Sequence, residues 1–339
     1  MYAFCLFSFP FYVIIFSMKK YIGVDIGGTK IAAGIVTRQG KLLETIVVPT
    51  LADKGLKSSL NQVYSSITDL VEFSSLTMKD IDGIGVCAPG PLDPAKGIVH
   101  NPPNLPGWRE VELTTLIRKK FNKKTRLEND ANAAGMAEVI WGAAKGYKDV
   151  FYVTVSTGIG TAIIIDGKIY HGKNGMAGEG GHVTINYDAK NSKCNCGNTG
   201  CIEALAAGPY TVKRLLKRLK KNPGTRTNIL TLANGNPRKV TMVTVGEAAL
   251  SGDKLALEVI HEEGRLLGIW LGSMISILDP EIIVIGGGVS LLGSLIFKEI
   301  RKTIPSATIN IRAKKTPVVQ AKLKRDVGIF GAASILMEK

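Results

Sequence analysis

Two stretches of the sequence decide its fold: residues 21–36 read YIGVDIGGTKIAAGIV, and residues 150–165 read VFYVTVSTGIGTAIII. In both, an apolar run of strand length ends in a short turn rich in glycine and threonine, and a second apolar run follows. Because the same device occurs twice in one chain, the sequence predicts a duplicated α/β architecture with a cleft between its two halves.

Glycine turns of this kind bring backbone N–H groups close to phosphate oxygens, because no Cβ blocks the approach. Thr29 and Thr157 add hydroxyl donors, and Asp25 at a strand end is placed to hold a hydrated magnesium ion. A third glycine run, at 286–288, ends a strand where open α/β sheets bind ligands. The chain has neither a Walker loop nor a dinucleotide fingerprint. The three runs together predict a phosphate-binding site of another class.

Residues 178–203 concentrate three of the five cysteines and one of the four histidines. Four of them form a complete tetrahedral ligand set, which predicts a closed structural zinc site: His182, Cys194, Cys196 and Cys201. Glu179 and Glu203 flank this set without being needed by the metal, which indicates a device for holding a polar ligand. The alternative is that the cysteines are small buried hydrophobic residues, but their glycine-rich flanks favour a chelating loop.

Asn129 and Asp130 lie at a predicted junction between a short strand and an alanine-rich helix. A side chain at such a junction can project into a cleft, and phosphoryl transfer to an alcohol needs one carboxylate to accept the hydroxyl proton. Asp130 suits that role. Its alternative role is that of the helix N-cap, but Asn132 can cap the helix equally well, which leaves Asp130 free for chemistry.

The 339 residues suffice for two domains, and a composition of 45% hydrophobic and 21% charged residues is typical of a soluble α/β protein. The cysteines give no disulfide framework, which indicates a reducing, cytoplasmic compartment. The net charge of +15 raises the question of a polyanionic partner, and basic residues cluster at 118–126 and 213–221. The second cluster has leucines at helical spacing, so it predicts the solvated face of an amphipathic helix, and nucleic-acid binding is not expected.

The first seventeen residues are almost entirely apolar and contain five of the ten phenylalanines. They lack the basic region and cleavage site of a secretory signal, and Pro10 interrupts a run that is marginal for a membrane span. Met18 leads directly into a strand-like run, so we expect translation to start there and residues 1–17 to lie outside the fold. A membrane anchor is the alternative, and N-terminal mass spectrometry distinguishes the two.

Four motifs together resemble those of the ROK family: DIGGTK at 25–30, LENDANAA at 127–134, GExGH at 178–182, and CxCGxxGCxE at 194–203. That family holds bacterial sugar kinases, especially ATP-dependent glucokinases, and sugar-responsive repressors. The resemblance implies the two-lobed, ribonuclease H-like fold of actin and hexokinase, with a structural zinc loop. The N-terminal lobe would comprise residues 18–133 plus 327–339, and the C-terminal lobe residues 134–326. A final helix at about 327–338 would return to the N-terminal lobe.

Carried over position by position, the resemblance makes Asp130 the catalytic base for the sugar 6-hydroxyl. It implies these sugar contacts: Gly90, Asn104, Asn129, Asp130, Glu179, His182 and Glu203. His182 would place one ring nitrogen on zinc and the other near the sugar. The implied ATP contacts are Asp25, Gly27, Gly28, Thr29, Thr157, Gly158 and Gly160 around the phosphates, and Gly286, Gly287 and Gly288 at the adenosine.

The expected function is the phosphorylation of a hexose by ATP with Mg²⁺, with glucose converted to glucose 6-phosphate as the first choice. N-acetylmannosamine, N-acetylglucosamine, mannose, fructose or allose is the alternative acceptor, and polyphosphate is the alternative donor. A repressor that binds sugar without phosphorylating it is the alternative from another class. Such proteins carry a helix-turn-helix unit ahead of the first strand, and about twenty residues are too few for it. The resemblance also implies a homodimer, and no membrane partner is expected.

Overall fold

The computed structural model describes residues 18–338, so the expectations for residues 1–17 lie outside the described residues. Its strands are β1 (Lys20–Ile26), β2 (Lys30–Thr37), β3 (Leu42–Pro49), β4 (Gly83–Ala88), β5 (Leu92–Asp93), β6 (Ile98–Val99), β7 (Thr125–Asn129), β8 (Val150–Val155), β9 (Ile159–Ile165), β10 (Lys168–Ile169), β11 (Ile282–Gly286) and β12 (Val318–Gln320). Its α-helices are α1 (Leu56–Phe73), α2 (Leu113–Phe121), α3 (Asp130–Ile140), α4 (Ile202–Ala206), α5 (Gly208–Lys221), α6 (Ile229–Leu232), α7 (Met242–Leu250), α8 (Lys254–Leu278), α9 (Ser294–Ala307) and α10 (Val327–Ser334).

Two five-stranded mixed sheets repeat one topology. The first sheet has the order β3-β2-β1-β4-β7, and the second has the order β10-β9-β8-β11-β12. In each sheet the first three strands in chain order pair antiparallel, and the last two join in parallel. The duplicated pattern of the two glycine-turn stretches therefore corresponds to a duplicated sheet.

Each sheet has its own hydrophobic core. The first core lies between the first sheet and α1 and α2, where the largest fully buried side chain is Trp108. The second lies between the second sheet and the helices that follow it, and centres on Trp270 of α8. Apolar residues recur at helical spacing in these helices because only one face of each is buried.

The helix α10 returns from the second sheet to cover the first one, against β1 and β4. This close packing requires glycine in the strands. A Cβ on Gly85 would lie only 1.7 Å from the carbonyl oxygen of Ala332, and a Cβ on Gly23 would lie only 2.0 Å from the carbonyl oxygen of Ile329. Any larger residue at either glycine would push the helix away from the sheet.

The helix α3 ends at Ile140, whereas the alanine-rich pattern predicts a helical stretch through Ala144. The cause is the fully buried carboxylate of Glu138, which accepts a hydrogen bond from Ala143 N–H at 2.6 Å and so replaces helical pairing. The same carboxylate accepts the N–H groups of Lys322 and Leu323, which fixes the segment that leads into α10. Among residues 18–338, no helix is both long and apolar enough to cross a bilayer.

Candidate functional site

The first glycine turn joins β1 to β2 and is held by Thr50. Gly27 N–H donates to the Lys30 carbonyl at 2.9 Å, and the Thr50 hydroxyl donates to the Gly27 carbonyl at 2.6 Å. A Cβ on Gly28 would lie 2.9 Å from the Cβ of Asn104, so the glycine lets this turn contact Asn104 directly. The structure thus brings a predicted phosphate-binding residue and a predicted sugar-binding residue together.

Asp25 lies one residue before the end of β1, and its carboxylate is half-buried. The Cys87 thiol lies 3.4 Å from Asp25 Oδ1. Gly328 near the start of α10 leaves space for Asp25 Oδ2, because a Cβ on residue 328 would lie only 2.1 Å from that oxygen. Burial raises the pKa of Asp25, and the Cys87 hydrogen bond and the charge of Lys30 act in the opposite direction. Its ionised form is therefore stabilised by any cation that reaches this end of the strand.

Asn129 is the N-cap of α3, and Asp130 is the first helical residue. The Asn129 Oδ1 accepts hydrogen bonds from Ala131 N–H at 2.9 Å and Asn132 N–H at 3.3 Å. The prediction that Asn132 could serve as the cap is therefore wrong, because Asn129 already bonds the free amides of the first turn. The conclusion drawn from it holds, since Asp130 is not the cap and reaches solvent.

Asp130 is exposed to solvent, yet many protein atoms surround its carboxyl group. The desolvation that they cause raises the pKa of this carboxyl to about 6. The Ala131 N–H opposes that effect, at 2.7 Å from Oδ1, while the negative charges of Asp25 and Glu179 add to it. A carboxylate with a pKa near neutrality can both accept and release a proton at physiological pH.

Buried Glu128 and half-buried His171 form a pair that the sequence reasoning missed. Glu128 is 3% exposed, and its Oε1 accepts hydrogen bonds from Asn129 N–H at 2.9 Å and from the Asn132 side-chain amide at 3.0 Å. Its Oε2 lies 2.7 Å from His171 Nε2, and this contact raises the pKa of His171. The pair fixes the junction that presents Asp130. The LENDANAA motif contains Glu128 and could have indicated its role, whereas no sequence pattern around His171 indicates one.

The second glycine turn joins β8 to β9 and contacts Glu203. Ser156 N–H donates to the Gly158 carbonyl at 2.9 Å, and Ile159 N–H donates to Glu203 Oε2 at 2.9 Å. A Cβ on Gly158 would lie 2.6 Å from that same carboxylate oxygen. Glu203 is thus hydrogen-bonded to the turn through one oxygen, a contact that sequence spacing alone did not predict.

The remaining predicted glycines lie beside the second turn. Gly160 is inside β9, where a Cβ would lie 3.0 Å from the Cβ of Ala131, so its small size lets the start of α3 approach. Gly287 has a φ of +79° and passes over the Val155 backbone, with the carbonyl oxygen 2.3 Å from where a Cβ would lie. A cavity of about 740 Å³ opens next to Thr157 and Gly288 and is lined mainly by apolar side chains of α5, α7 and the segment before α9.

The four predicted metal ligands converge in one place, with ligand atoms all within 4.8 Å of one another: His182, Cys194, Cys196 and Cys201. His182 Nδ1 lies 3.5 Å from Cys194 Sγ, and the Cys196 and Cys201 sulfurs are 3.7 Å apart. Tetrahedral zinc with bonds of about 2.3 Å to sulfur and about 2.0 Å to nitrogen requires edges of about 3.8 and 3.5 Å. The donor set and its spacing therefore fit a tetrahedral metal ion.

The segment that carries Glu179 is held against β9. Thr161 donates its hydroxyl hydrogen to the Gly178 carbonyl and accepts from Gly180 N–H at 3.0 Å. Gly181 is buried, and a Cβ there would lie 2.0 Å from the Ile159 carbonyl oxygen. Glu179 Oε2 then lies 3.9 Å from His182 Nε2, the ring nitrogen that does not face Cys194.

A family model described as "ROK family" matches residues 21–339. The chain is 32% identical to a glucokinase from Thermotoga maritima over 320 residues, which cover 94% of this chain and 98% of that protein. This protein belongs to the ROK family. A crystal structure of the ROK family glucokinase from Streptomyces griseus, in complex with glucose and AMPPNP, superposes with a TM-score of 0.79 at 32% identity. The alignment covers 93% of this chain and 98% of that one.

The same ROK chain is also similar to a repressor. It is 28% identical to the xylose repressor of Caldicellulosiruptor bescii over 316 residues, which cover 93% of this chain and 77% of that protein. Both a glucokinase and a repressor are therefore among the proteins to which this chain is similar.

In this ROK protein several of the predicted site residues lie next to one another in pairs. Gly28 contacts Asn104, a Cβ on Gly90 would lie 3.8 Å from Asn129 Nδ2, and Glu179 is close enough to Asp130 to raise its pKa. The Cys194 sulfur lies 3.5 Å from His182 Nδ1 and 3.5 Å from Glu203 Oε1, so it contacts both side chains. Amide, carboxylate and imidazole groups of this kind can hydrogen-bond a polyhydroxyl ligand, and the backbone N–H groups of glycine turns can bind phosphates.

Proposed function

We propose that this protein is a sugar kinase that transfers the terminal phosphoryl group of ATP to a hexose hydroxyl, with glucose as the first candidate. The observation that carries this proposal is Asp130, a carboxylate of raised pKa that is not the N-cap of α3 and is close enough to Asp25 and Glu179 to feel their charges. In the reaction, Asp130 accepts the proton of the sugar hydroxyl, and the hydroxyl oxygen forms a bond to the γ-phosphorus. The bond from that phosphorus to the bridging oxygen breaks, and ADP leaves.

The sugar hydroxyls would be held by Gly90, Asn104, Asn129, Glu179, His182 and Glu203. Asn129 suits this role because its Oδ1 is occupied as the helix cap, so its Nδ2 amide, which faces Gly90, is left to donate to a hydroxyl. Glu203 has less capacity left for a sugar hydroxyl. Its Oε2 already accepts a hydrogen bond from Ile159 N–H, and its Oε1 faces the Cys194 sulfur of the metal loop. Carboxylates and amides held in this way select hydroxyl patterns with little reorganisation.

The nucleotide would lie along the two glycine turns. Gly27, Gly28, Thr29, Thr157, Gly158 and Gly160 would surround the phosphates, and Gly286–Gly288 would contact the adenosine. The cavity of about 740 Å³ beside Gly288 has the size and apolar lining of a site for a planar base. Asp25 would hold Mg²⁺ through water, and that ion neutralises charge on the phosphates when it is bound.

The metal in the four-residue cluster is proposed to be zinc with a structural role. All four ligands come from the protein, which leaves no open coordination position for a catalytic water. The ion would fix the His182 ring, so that Nε2 stays directed to the side of Glu179.

The division into lobes is a proposal of the same kind. Residues 18–133 plus 327–339 would move as one unit and residues 134–326 as the other, as in the actin and hexokinase fold. The repeated sheet topology and the return of α10 to the first sheet support this. A homodimer in a reducing, cytoplasmic setting completes the proposal, and sedimentation of the purified protein tests the dimer.

A coupled ADP-release assay over glucose, mannose, fructose, allose, N-acetylglucosamine and N-acetylmannosamine tests the function, with ATP and polyphosphate compared as donors. We expect turnover with ATP and glucose, and a loss of about 10²- to 10⁴-fold in Asp130→Asn. Sugar binding measured by calorimetry in that variant should be retained. Turnover by Asp130→Asn at the wild-type rate would refute the assigned base.

A sugar-responsive repressor is the second candidate, and the similarity to the xylose repressor favours it. This candidate predicts binding of a sugar without ADP release on any member of the panel, with xylose added to it. The intact Asp130 and both glycine turns favour the kinase.

A further inference from the structure

A second polar cleft lies on the far side of α5 from the nucleotide cavity. It has a volume of about 450 Å³ and separates α5 from the segment that precedes Cys194. Six of its lining residues are basic and none is acidic: Lys193, Lys213, Arg214, Lys217, Arg218 and Lys221. The predicted solvated face of the basic helix is thus, in part, one wall of a concave site.

The positive charge of this cleft is only partly compensated. Arg218 pairs with Glu258 and Arg214 approaches Glu262 at 3.8 Å, both on the neighbouring α8. The lysines of the cleft have no carboxylate within 4.0 Å among residues 18–338: Lys193, Lys213, Lys217 and Lys221. The helix dipole favours Lys221 at the last residue of α5, but it does not account for Lys213 and Lys217 in the preceding turns. Like charges that face one cleft without counter-charges attract anions strongly.

The Arg214 side chain is half-buried in this wall and is not fully neutralised. Its Nη1 is buried and makes no hydrogen bond within the described residues, and the two buried carboxylate oxygens of Glu263, whose charge acts on Arg214, make none either. Arginine and several lysines around one cavity form the chemistry that recognises phosphate groups.

The cleft is continuous with the metal loop. Lys193 precedes the ligand Cys194 and pairs as an isolated β-bridge with Thr199 across that loop. Tyr210 packs against the buried Cys194 and Cys201 side chains, and Ala204 follows Glu203 in α4. An anion that joins Lys193 to α5 would therefore restrain the loop at 191–203.

We propose that this cleft is a binding site for a small molecule with clustered phosphate groups, distinct from the nucleotide site. The proposal goes beyond the kinase function and does not depend on it. Lys213 is the residue that lines both cavities, so it is left unchanged in the test.

The test titrates inorganic tripolyphosphate into the full-length protein by calorimetry in magnesium-free buffer. The variant Lys217→Glu/Lys221→Glu removes two cations from the cleft. The control Lys119→Glu/Lys298→Glu changes the net charge equally at exposed positions of α2 and α9. Loss of two charge-assisted contacts should weaken binding at least about tenfold, and the control should stay within about twofold of wild type.

Hydrogen exchange locates the bound anion independently of any catalytic activity. Tripolyphosphate should slow amide exchange at residues 191–203 in the wild type and in the control, but not in the cleft variant. Equal weakening in both variants would show a general charge effect and overturn the proposal. Protection confined to the glycine turns at 27–29 and 156–158 would overturn it as well, because it would place the anion in the nucleotide site. Absence of binding to the wild type refutes it directly.

Discussion

The raised pKa of Asp130 leads to a quantitative prediction for the pH dependence of catalysis. A general base works only when ionised, so activity is lost as the pH falls through its pKa. With a pKa of about 6, about 9% of Asp130 is ionised at pH 5 and about 91% at pH 7, a tenfold change in kcat/KM. An ordinary carboxyl at 3.8 would still be about 94% ionised at pH 5.

The assay measures kcat/KM for ATP-dependent glucose phosphorylation between pH 4.5 and 8.5. The neighbouring carboxylate gives an internal check, since Glu179 contributes to the raised pKa. The variant Glu179→Gln should therefore move the acidic limb of the profile to lower pH, even if its overall rate falls. Zinc content measured at each pH excludes loss of the metal as the cause.

The contact with Glu128 raises the pKa of His171, so His171→Gln serves as a second control and should keep the acidic limb in place. An acidic limb that stays near pH 4 in the wild type would refute the reasoning. So would a limb near pH 6 that disappears in His171→Gln, because the titrating group would then be the histidine.

Four further predictions follow from contacts at the site. Gly28→Ala places a Cβ 2.9 Å from that of Asn104, so it should raise the KM for sugar about tenfold, which corresponds to about 1.4 kcal/mol. The control Gly224→Ala has open space around the new Cβ and should leave KM unchanged. Equal effects of the two substitutions on KM would contradict the role of the contact with Asn104. Elemental analysis should find about one zinc per chain, and Cys196→Ser should lose the metal and the sugar affinity together, while Asn195→Ala in the same loop keeps both. His171→Leu should lower kcat more than it changes KM, with partial recovery in His171→Gln, whose amide can still donate to Glu128. Since Glu128 raises the pKa of His171 above 6.5, the pair stabilises the fold most at acidic pH, and the melting difference between wild type and His171→Leu should shrink from pH 6 to pH 9.

The parts of the site that the sequence predicted are those whose chemistry lies in local spacing. A glycine turn between two apolar runs, or two cysteines separated by one residue, carries its geometry within a few residues. The turns at 27–29 and 156–158 and the cluster around Cys194 were recognisable for that reason.

The parts that were missed depend on tertiary contacts. His171 lies 43 residues from Glu128 in sequence, and only the packing of the segment after β10 against β7 joins them. The hydrogen bond from Ile159 to Glu203 spans 44 residues. The basic face of α5 has the same pattern whether it faces water or a cleft, so its concave setting could be seen only in three dimensions.

The packing of α10 also sets an order on how the chain can fold during synthesis. The face of the first sheet that includes Gly23 and Gly85 is covered by a helix made about 300 residues after β1. The opposite face, which packs on α1 and α2, needs only residues 22–127 to bury its core. A ribosome therefore carries a first sheet that is covered on one face and lacks α10 on the other through most of translation.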